Sequence, residues 1–120
     1  AAAQLLGDTY VHLEDYAKAA KAFENAAASG NEIIAPMSLK KLGFVQMELG
    51  NNKAALKAFE SIKNDYPASA EAQDIEKYIA LVYLEKGDKA AAKKAFETLR
   101  ASYPQSFEAQ GIDKYINFAQ

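Results

Sequence analysis

The sequence predicts an all-helical solenoid, a fold in which repeated units stack and each packs only on its neighbours. Residues 66–79 read YPASAEAQDIEKYI and residues 103–116 read YPQSFEAQGIDKYI, so ten of fourteen letters recur after a shift of 37 positions. Small, aromatic and turn-forming residues follow the same shift: Gly50, Ala55, Phe59 and Pro67 return as Gly87, Ala92, Phe96 and Pro104. An earlier copy places Ala19 and Phe23 a further 36 positions upstream, which makes three repeats.

The spacing of these residues resembles the tetratricopeptide repeat family, whose pattern runs Leu-Gly-x2-Tyr, Ala-x3-Phe and Pro. The residues that match are Leu6, Gly7, Tyr10, Ala19 and Phe23, then Leu42, Gly43, Ala55, Phe59 and Pro67, then Tyr83, Ala92, Phe96 and Pro104. The resemblance implies a right-handed superhelical solenoid of three helix pairs and a C-terminal capping helix. We expect a single domain with repeats at about residues 1–31, 36–67 and 69–104 and a terminal helix at 105–120.

Each repeat should hold two antiparallel helices, and the second repeat shows the plan. Pro36 suits the first turn of a helix, where its missing N–H needs no partner. Gly50 ends that helix, because glycine readily takes the left-handed conformation that follows a helix. Asn51 or Asn52 can cap the next helix with a side-chain oxygen. This second helix should then stop near Pro67.

The first repeat departs from this plan at two places. Glu14 stands where the other repeats have glycine, and a non-glycine residue held left-handed costs about 1 kcal/mol. We therefore predict that Glu14→Gly is neutral or stabilising. The link from Ser29 to Ala35 lacks the proline found near the end of the other repeats, and we expect its Ile33 and Ile34 to pack between repeats.

The third repeat and the C-terminal segment extend the pattern. The third repeat holds three residues more than the 34 typical of the family, and we interpret them as a lengthened first helix. Ser69 and Ser106 are candidate N-caps. The terminal helix should bury Phe107, Ile112, Tyr115 and Ile116. Because the alanine-rich start lacks the polar face of a terminal repeat, we expect the chain to be a fragment of a longer protein.

Composition excludes several classes of partner. The formal net charge is −2 with both signs interleaved, so the chain lacks the basic field that nucleic acids require. No apolar run approaches the roughly eighteen residues needed to cross a bilayer, and we expect no membrane contact by this segment. The chain has no cysteine, which excludes disulfides and thiolate metal sites.

Catalysis is not expected. The only histidine is His12, which lies on one helix face with Asp8 and could pair with it. We interpret His12 as a partly exposed residue near a helix end rather than an acid–base catalyst. The glycines lie at helix turns and do not cluster as a phosphate loop. We therefore predict no enzymatic activity, no metal site and no cofactor.

The resemblance also implies a binding surface, because the first helices of tetratricopeptide repeats line a concave wall. In the family, the second, fifth, ninth, twelfth and thirteenth positions of each repeat face this groove. In this chain we expect a protein or peptide partner there, bound by Asp8, Val11, Lys40, Phe44, Met47, Lys77, Leu81, Leu84, Lys114 and Phe118. Alternatively, Phe44, Leu81 and Phe118 are packing residues between helices. A clamp for chaperone C-termini needs asparagine where this chain has Asp8, so we do not expect that ligand.

Location and assembly are further expectations. The segment Tyr66-Pro67-x-Ser69-x-Glu71-Ala72 and its echo at residue 103 are similar to links in tetratricopeptide proteins of the bacterial cell envelope. Examples are the ancillary subunit of the Sec translocon and the Tol-Pal coordinator. The likeness implies a periplasmic domain of a membrane-anchored parent; otherwise we expect a cytoplasmic protein. Competing hypotheses are a structural unit that docks on its own chain or dimerises, and a regulatory domain of an enzyme.

Overall fold

The computed structural model describes residues 2–102, and all the secondary-structure elements in this part of the chain are helices joined by turns and short links. It contains α1 (Ala2–His12), α2 (Tyr16–Ala27), α3 (Ile34–Glu48), α4 (Asn52–Asp65), α5 (Ile75–Glu85) and α6 (Lys89–Ser102), with a 3₁₀ helix at Ala70–Gln73. The predicted all-α class is confirmed over these residues. The predicted terminal helix and Ser106 lie outside the described residues.

The helices form three antiparallel pairs, α1–α2, α3–α4 and α5–α6. The helices of each pair pack together, and α2 also packs against α3. The chain divides into two compact units, Ala1–Ala72 and Gln73–Gln120. The first unit holds the first two pairs, and the second unit holds the third pair.

Each pair turns through a residue in the left-handed conformation, as the repeats predict. Glu14 has φ 60°, Gly50 has φ 77° and Gly87 has φ 83°. In every turn the next amide donates to a carbonyl five residues back: Asp15 to Tyr10, Asn51 to Gln46 and Asp88 to Tyr83, each at 2.8 Å. These bonds are those of the Schellman motif, which satisfies carbonyls at a helix C-terminus. The same turn thus occurs three times, with glutamate once in place of glycine.

We expect Glu14→Gly to raise the free energy of unfolding by about 0.5–1 kcal/mol. Removing Cβ relieves a left-handed conformation that costs roughly 1–2 kcal/mol, and the extra freedom of glycine in the unfolded chain offsets part of this gain. Gly50→Glu and Gly87→Glu should lower it by about 1–2 kcal/mol. Among the described residues nothing lies within 4 Å of a Cβ built at Gly50 or Gly87. The expected loss of stability therefore comes from the strained backbone conformation and not from a steric clash. Urea denaturation measures all three variants, and a stabilised Gly50→Glu would contradict this assignment.

The second helices begin with different caps. The Asp15 carboxylate accepts the Lys18 amide at 3.3 Å, and Asp88 accepts the Ala91 amide at 3.0 Å. Asn51 occupies the cap position of α4 but makes no side-chain cap hydrogen bond. Its side-chain amide instead donates to Gln46 Oε1 at 3.1 Å. The predicted cap by Asn51 or Asn52 is therefore wrong: the Asn51 side chain bonds back to Gln46, and the Asn52 side-chain oxygen has no hydrogen-bond partner among the described residues.

Two glycines allow the helices of a pair to approach closely. A Cβ built at Gly7 would lie 2.5 Å from Phe23 Cε1, and one at Gly43 would lie closer still to the Phe59 ring. Phe23 and Phe59 are completely buried. In each of the first two pairs, the aromatic ring of the second helix therefore lies directly on the backbone of the first helix.

The three extra residues of the third repeat do not lengthen its first helix, so this prediction is wrong. Helix α5 begins only at Ile75, after the 3₁₀ helix at Ala70–Gln73. The Ser69 hydroxyl donates to the Tyr66 carbonyl at 2.7 Å and accepts the Ala72 amide at 3.3 Å. Ser69 thus caps the 3₁₀ helix, and these local bonds take up the added length.

The link before α3 exposes an isoleucine that we expected to be packed. Ile33 is 73% exposed, and only its neighbour Ile34 is half-buried. The Asn31 side-chain oxygen accepts the amides of both residues at 2.9 Å. This turn places Ile34 in the first turn of α3 and leaves the Ile33 side chain in solvent. The prediction is therefore wrong for Ile33.

Candidate functional site

The predicted binding residues of α1 lie on an exposed stretch of the helix. The Asp8 carboxylate accepts two hydrogen bonds from Lys41 Nζ on α3, at 2.8 and 3.0 Å. Both side chains remain partly exposed. Val11 follows one turn later and is also exposed. Asp8 therefore already has a cationic partner within the first compact unit.

Three predicted residues lie on α3 and are half-buried: Lys40, Phe44 and Met47. The Phe44 ring meets Phe59 edge to face, with 5.6 Å between ring centroids and 67° between planes. Such pairs contribute about 0.5–1.5 kcal/mol beyond their buried area. Phe44 thus contacts the core with part of its ring, while another part remains accessible to solvent.

The counterparts on α5 belong to the second compact unit. Lys77, Leu81 and Leu84 are half-buried, as their equivalents on α3 are. Lys77 Nζ lies 5.9 Å from the centroid of the Tyr78 ring, within range of a cation–π contact. The remaining predicted site residues, Lys114 and Phe118, lie outside the described residues.

Sequence reasoning missed the contact between Asp8 and Lys41. The two residues are 33 positions apart and belong to different repeats. Lys41 occupies the sixth position of its repeat, next to Lys40, which the family pattern assigns to the groove. Lys41 Nζ also lies 5.9 Å from the centroid of the Phe23 ring. Only the packing of α1 near α3 brings these groups together, so no local motif could reveal the pair.

The predicted pairing of Asp8 with His12 does not form in the structure. Asp8 pairs with Lys41 and not with His12, which removes the predicted partner of the histidine. Within residues 2–102 no cluster of three acidic or histidine side chains is suited to hold a metal ion. None of the helices in this range is long and apolar enough to span a membrane. What recurs on α3 and α5 is an ammonium group beside large apolar side chains.

Comparison with known protein families gives two matches. A family model described as tetratricopeptide repeat matches residues 39–69 and 78–106, which is half of the chain. A second model of the same description matches residues 1–28. No curated protein matches the sequence.

Proposed function

From the premise that the chain belongs to the tetratricopeptide repeat family, we propose that it binds an extended or helical peptide of a partner protein on the concave face of its first helices. Repeats of this family are protein–protein interaction modules, typically scaffolds without enzymatic activity. The observation that carries the proposal is the repeated set of a lysine and two large apolar side chains, which remain partly accessible on α3 and again on α5.

The chemistry of this set fits a peptide with apolar and acidic residues. On α3, Met47 and the accessible part of Phe44 supply apolar contact area, and methionine adapts to partners of varied shape. Lys40 can meet a carboxylate of the peptide through a charge-assisted hydrogen bond. Lys77, Leu81 and Leu84 repeat these properties in the second compact unit. Asp8, Val11, Lys114 and Phe118 complete the proposed set.

Reversing the charge at Lys40 is expected to weaken binding of an acidic peptide about tenfold, which corresponds to roughly 1.4 kcal/mol. The probe is a peptide selected from a random library displayed on phage and then measured by fluorescence anisotropy. Lys40→Glu and Met47→Glu should both lose affinity. Phe44 is less suitable as a first variant, because its contact with Phe59 links binding to stability.

The matched control is Lys57→Glu, which makes the same charge change on an exposed position of α4. This variant should bind the selected peptide as tightly as the unchanged protein. Circular dichroism checks that all variants keep their helical content. If Lys40→Glu and Met47→Glu bind as well as Lys57→Glu, the first helices are not the binding surface.

We also propose that the protein works in the bacterial cell envelope, as part of a membrane-anchored parent. This proposal rests on the repeated link at Tyr66-Pro67 and Tyr103-Pro104, which is similar to links in envelope proteins of this family. In this chain Ser69 caps the 3₁₀ helix of the link. This capping role does not depend on the cellular compartment, so it does not bear on the proposed location. Fractionation of bacteria that express the parent protein tests the location, and recovery with the cytoplasm would refute it.

Self-association is the second candidate function. Leu5 and Leu6 on α1 are 68% and 48% exposed, and exposed apolar residues of this size favour contact with another protein surface. A second copy of the chain could cover them. Light scattering over a range of protein concentrations decides whether the chain dimerises.

A further inference from the structure

Two links of the first compact unit line a cavity of about 480 Å³. One link joins α2 to α3, and the other follows α4. The volume lies within the roughly 300–1,000 Å³ typical of ligand pockets. We call it the link cavity, and its lining residues are Gly30, Glu32, Ile33, Asp65, Tyr66, Pro67, Ala68 and Ser69. These residues do not include any of α1 or any of the described groove residues, so the link cavity is a separate surface.

The link cavity exposes an isoleucine on a backbone that hydrogen bonds hold in place. Ile33 is 73% exposed. The Asn31 side-chain oxygen accepts the amides of Ile33 and Ile34 at 2.9 Å, which fixes the chain at the start of α3. Tyr66 of the other link also lines the cavity and is half-buried. An aliphatic and an aromatic side chain are therefore available for contact without rearrangement of the Asn31 turn.

Two carboxylates give the link cavity a negative charge. Glu32 and Asp65 both line it, and both are exposed. Neither carboxylate has a hydrogen bond or an ion pair with another residue in the range 2–102. Asp65 is the last residue of α4, where the helix dipole already places negative partial charge. A bound cation would therefore be attracted by both carboxylates and by the end of α4.

An arginine side chain matches both the apolar and the charged part of the cavity. A guanidinium group forms two parallel hydrogen bonds with a carboxylate. It also stacks on aromatic rings and is more weakly hydrated than an ammonium group, and Tyr66 supplies such a ring. An apolar residue next to the arginine would contact Ile33. Lysine offers a similar charge but not the planar group that both contacts require.

We propose that the link cavity binds an arginine and an adjacent apolar residue in a segment of a partner protein. The guanidinium group binds Glu32 and Asp65, and the apolar side chain covers Ile33. A second copy of the chain does not supply this segment. Its only arginine, Arg100, already makes another interaction, and the preceding Leu99 is completely buried. The net charge of −2 also favours a basic partner over a second copy.

The probe is acetyl-leucyl-arginine amide, titrated into the full chain labelled with nitrogen-15 and followed by NMR. Shifts of backbone amide signals detect weak binding and locate it on the chain. We expect saturable shifts at Ile33, Tyr66 and Ser69. The amides of Lys40 and Met47 should not move, so this binding is distinguishable from that of the proposed peptide groove. Acetyl-leucyl-citrulline amide, which has a similar shape but no charge, should bind at least fivefold more weakly.

Neutralising both carboxylates, by Glu32→Gln with Asp65→Asn, should weaken binding of the arginine probe at least fivefold. Ile33→Ser should weaken it at least twofold. Removing an acid from the end of α4 does not oppose the helix dipole, so Asp65→Asn should not lower the melting temperature. The matched control is Glu24→Gln with Glu60→Gln, which removes two charges at exposed helix positions outside the cavity. This control should bind the probe as tightly as the unchanged protein.

Three results would overturn the proposal. The first is the absence of saturable shifts at the link residues, or shifts that are unchanged when Glu32 and Asp65 are neutralised. The second is equal binding of acetyl-leucyl-lysine amide or of the citrulline probe, because the cavity would then not recognise a guanidinium group. The third is a concentration-dependent dimer that the double neutralisation abolishes, because a second copy would then occupy the cavity.

Discussion

Replacing Phe59 by alanine is expected to lower the free energy of unfolding by about 3–5 kcal/mol. Phe59 is completely buried; its ring lies on the backbone of Gly43 and meets Phe44 edge to face. Truncation removes the ring from between α3 and α4 and leaves a cavity that the close-packed helices cannot readily fill. Because whole domains have about 5–15 kcal/mol of stability, this loss would leave the protein near the point of unfolding.

Urea denaturation followed by circular dichroism measures the effect, with the transition midpoint as the readout. Leu49→Ala is the control, because Leu49 is also apolar but is 39% exposed at the end of α3. We expect that variant to lose less than about 1 kcal/mol. Equal losses for the two variants would show that Phe59 does not hold the pair together.

Gly43→Val should lower the free energy of unfolding by about 3 kcal/mol through overpacking. A Cβ at this position meets the Phe59 ring at less than van der Waals distance. The ring is buried and cannot swing away as a flexible side chain would. Valine is a better helix former than glycine, so a loss of stability identifies the steric contact as its cause. Thermal and urea denaturation measure this loss.

A double-mutant cycle separates this contact from other effects. When Phe59→Leu accompanies Gly43→Val, the smaller side chain relieves part of the clash. The double variant should then be more stable than the sum of the single effects predicts, by about 1 kcal/mol or more. The control is Lys57→Val, at an exposed position of α4. It measures the effect of valine on helix stability where valine cannot clash with the Phe59 ring. Strict additivity of the two substitutions would rule out a direct contact.

The sequence predicted the features of the fold that recur in several repeats. The left-handed turn could be assigned at Glu14, where no glycine marks it, because Gly50 and Gly87 occupy the same position in the other repeats. Glycine and phenylalanine also recur at fixed spacing, and the structure shows that they meet where the helices of the first two pairs approach closely. Features of this kind depend on local conformation and on one neighbouring helix, and both are encoded within a repeat.

Two features of the fold that sequence reasoning missed lie in the links, which the repeats do not share. The three added residues of the third repeat could extend a helix or form a turn. The hydrogen bonds of Ser69 with Tyr66 and Ala72 stabilise the turn. Asn31 similarly determines the path of the chain at Ile33. Side-chain hydrogen bonds of this type compete with helix formation. The pattern of apolar residues does not indicate whether the local hydrogen bonds or the helix will form.

The sequence predicted which helix carries the candidate site residues, but it did not predict the side chains that they contact. The family pattern placed Lys40, Phe44 and Met47 on one helix, and they lie together on α3. It gave no sign that Phe44 also packs on Phe59. Nor did it show that Asp8 is neutralised by a lysine of the next repeat. Both contacts arise between helices, and the one between Asp8 and Lys41 also crosses from one repeat to the next.

The bond between Asp8 and Lys41 has a consequence for how the first compact unit responds to salt. It connects the first helices of two neighbouring pairs, yet both side chains are about two-fifths exposed. Ion pairs of this type contribute only about 0–1 kcal/mol and weaken as dissolved salt screens them. The Asp8–Lys41 pair therefore adds little to the stability of the first compact unit, and we expect rising ionic strength to weaken it while the helix pairs stay folded.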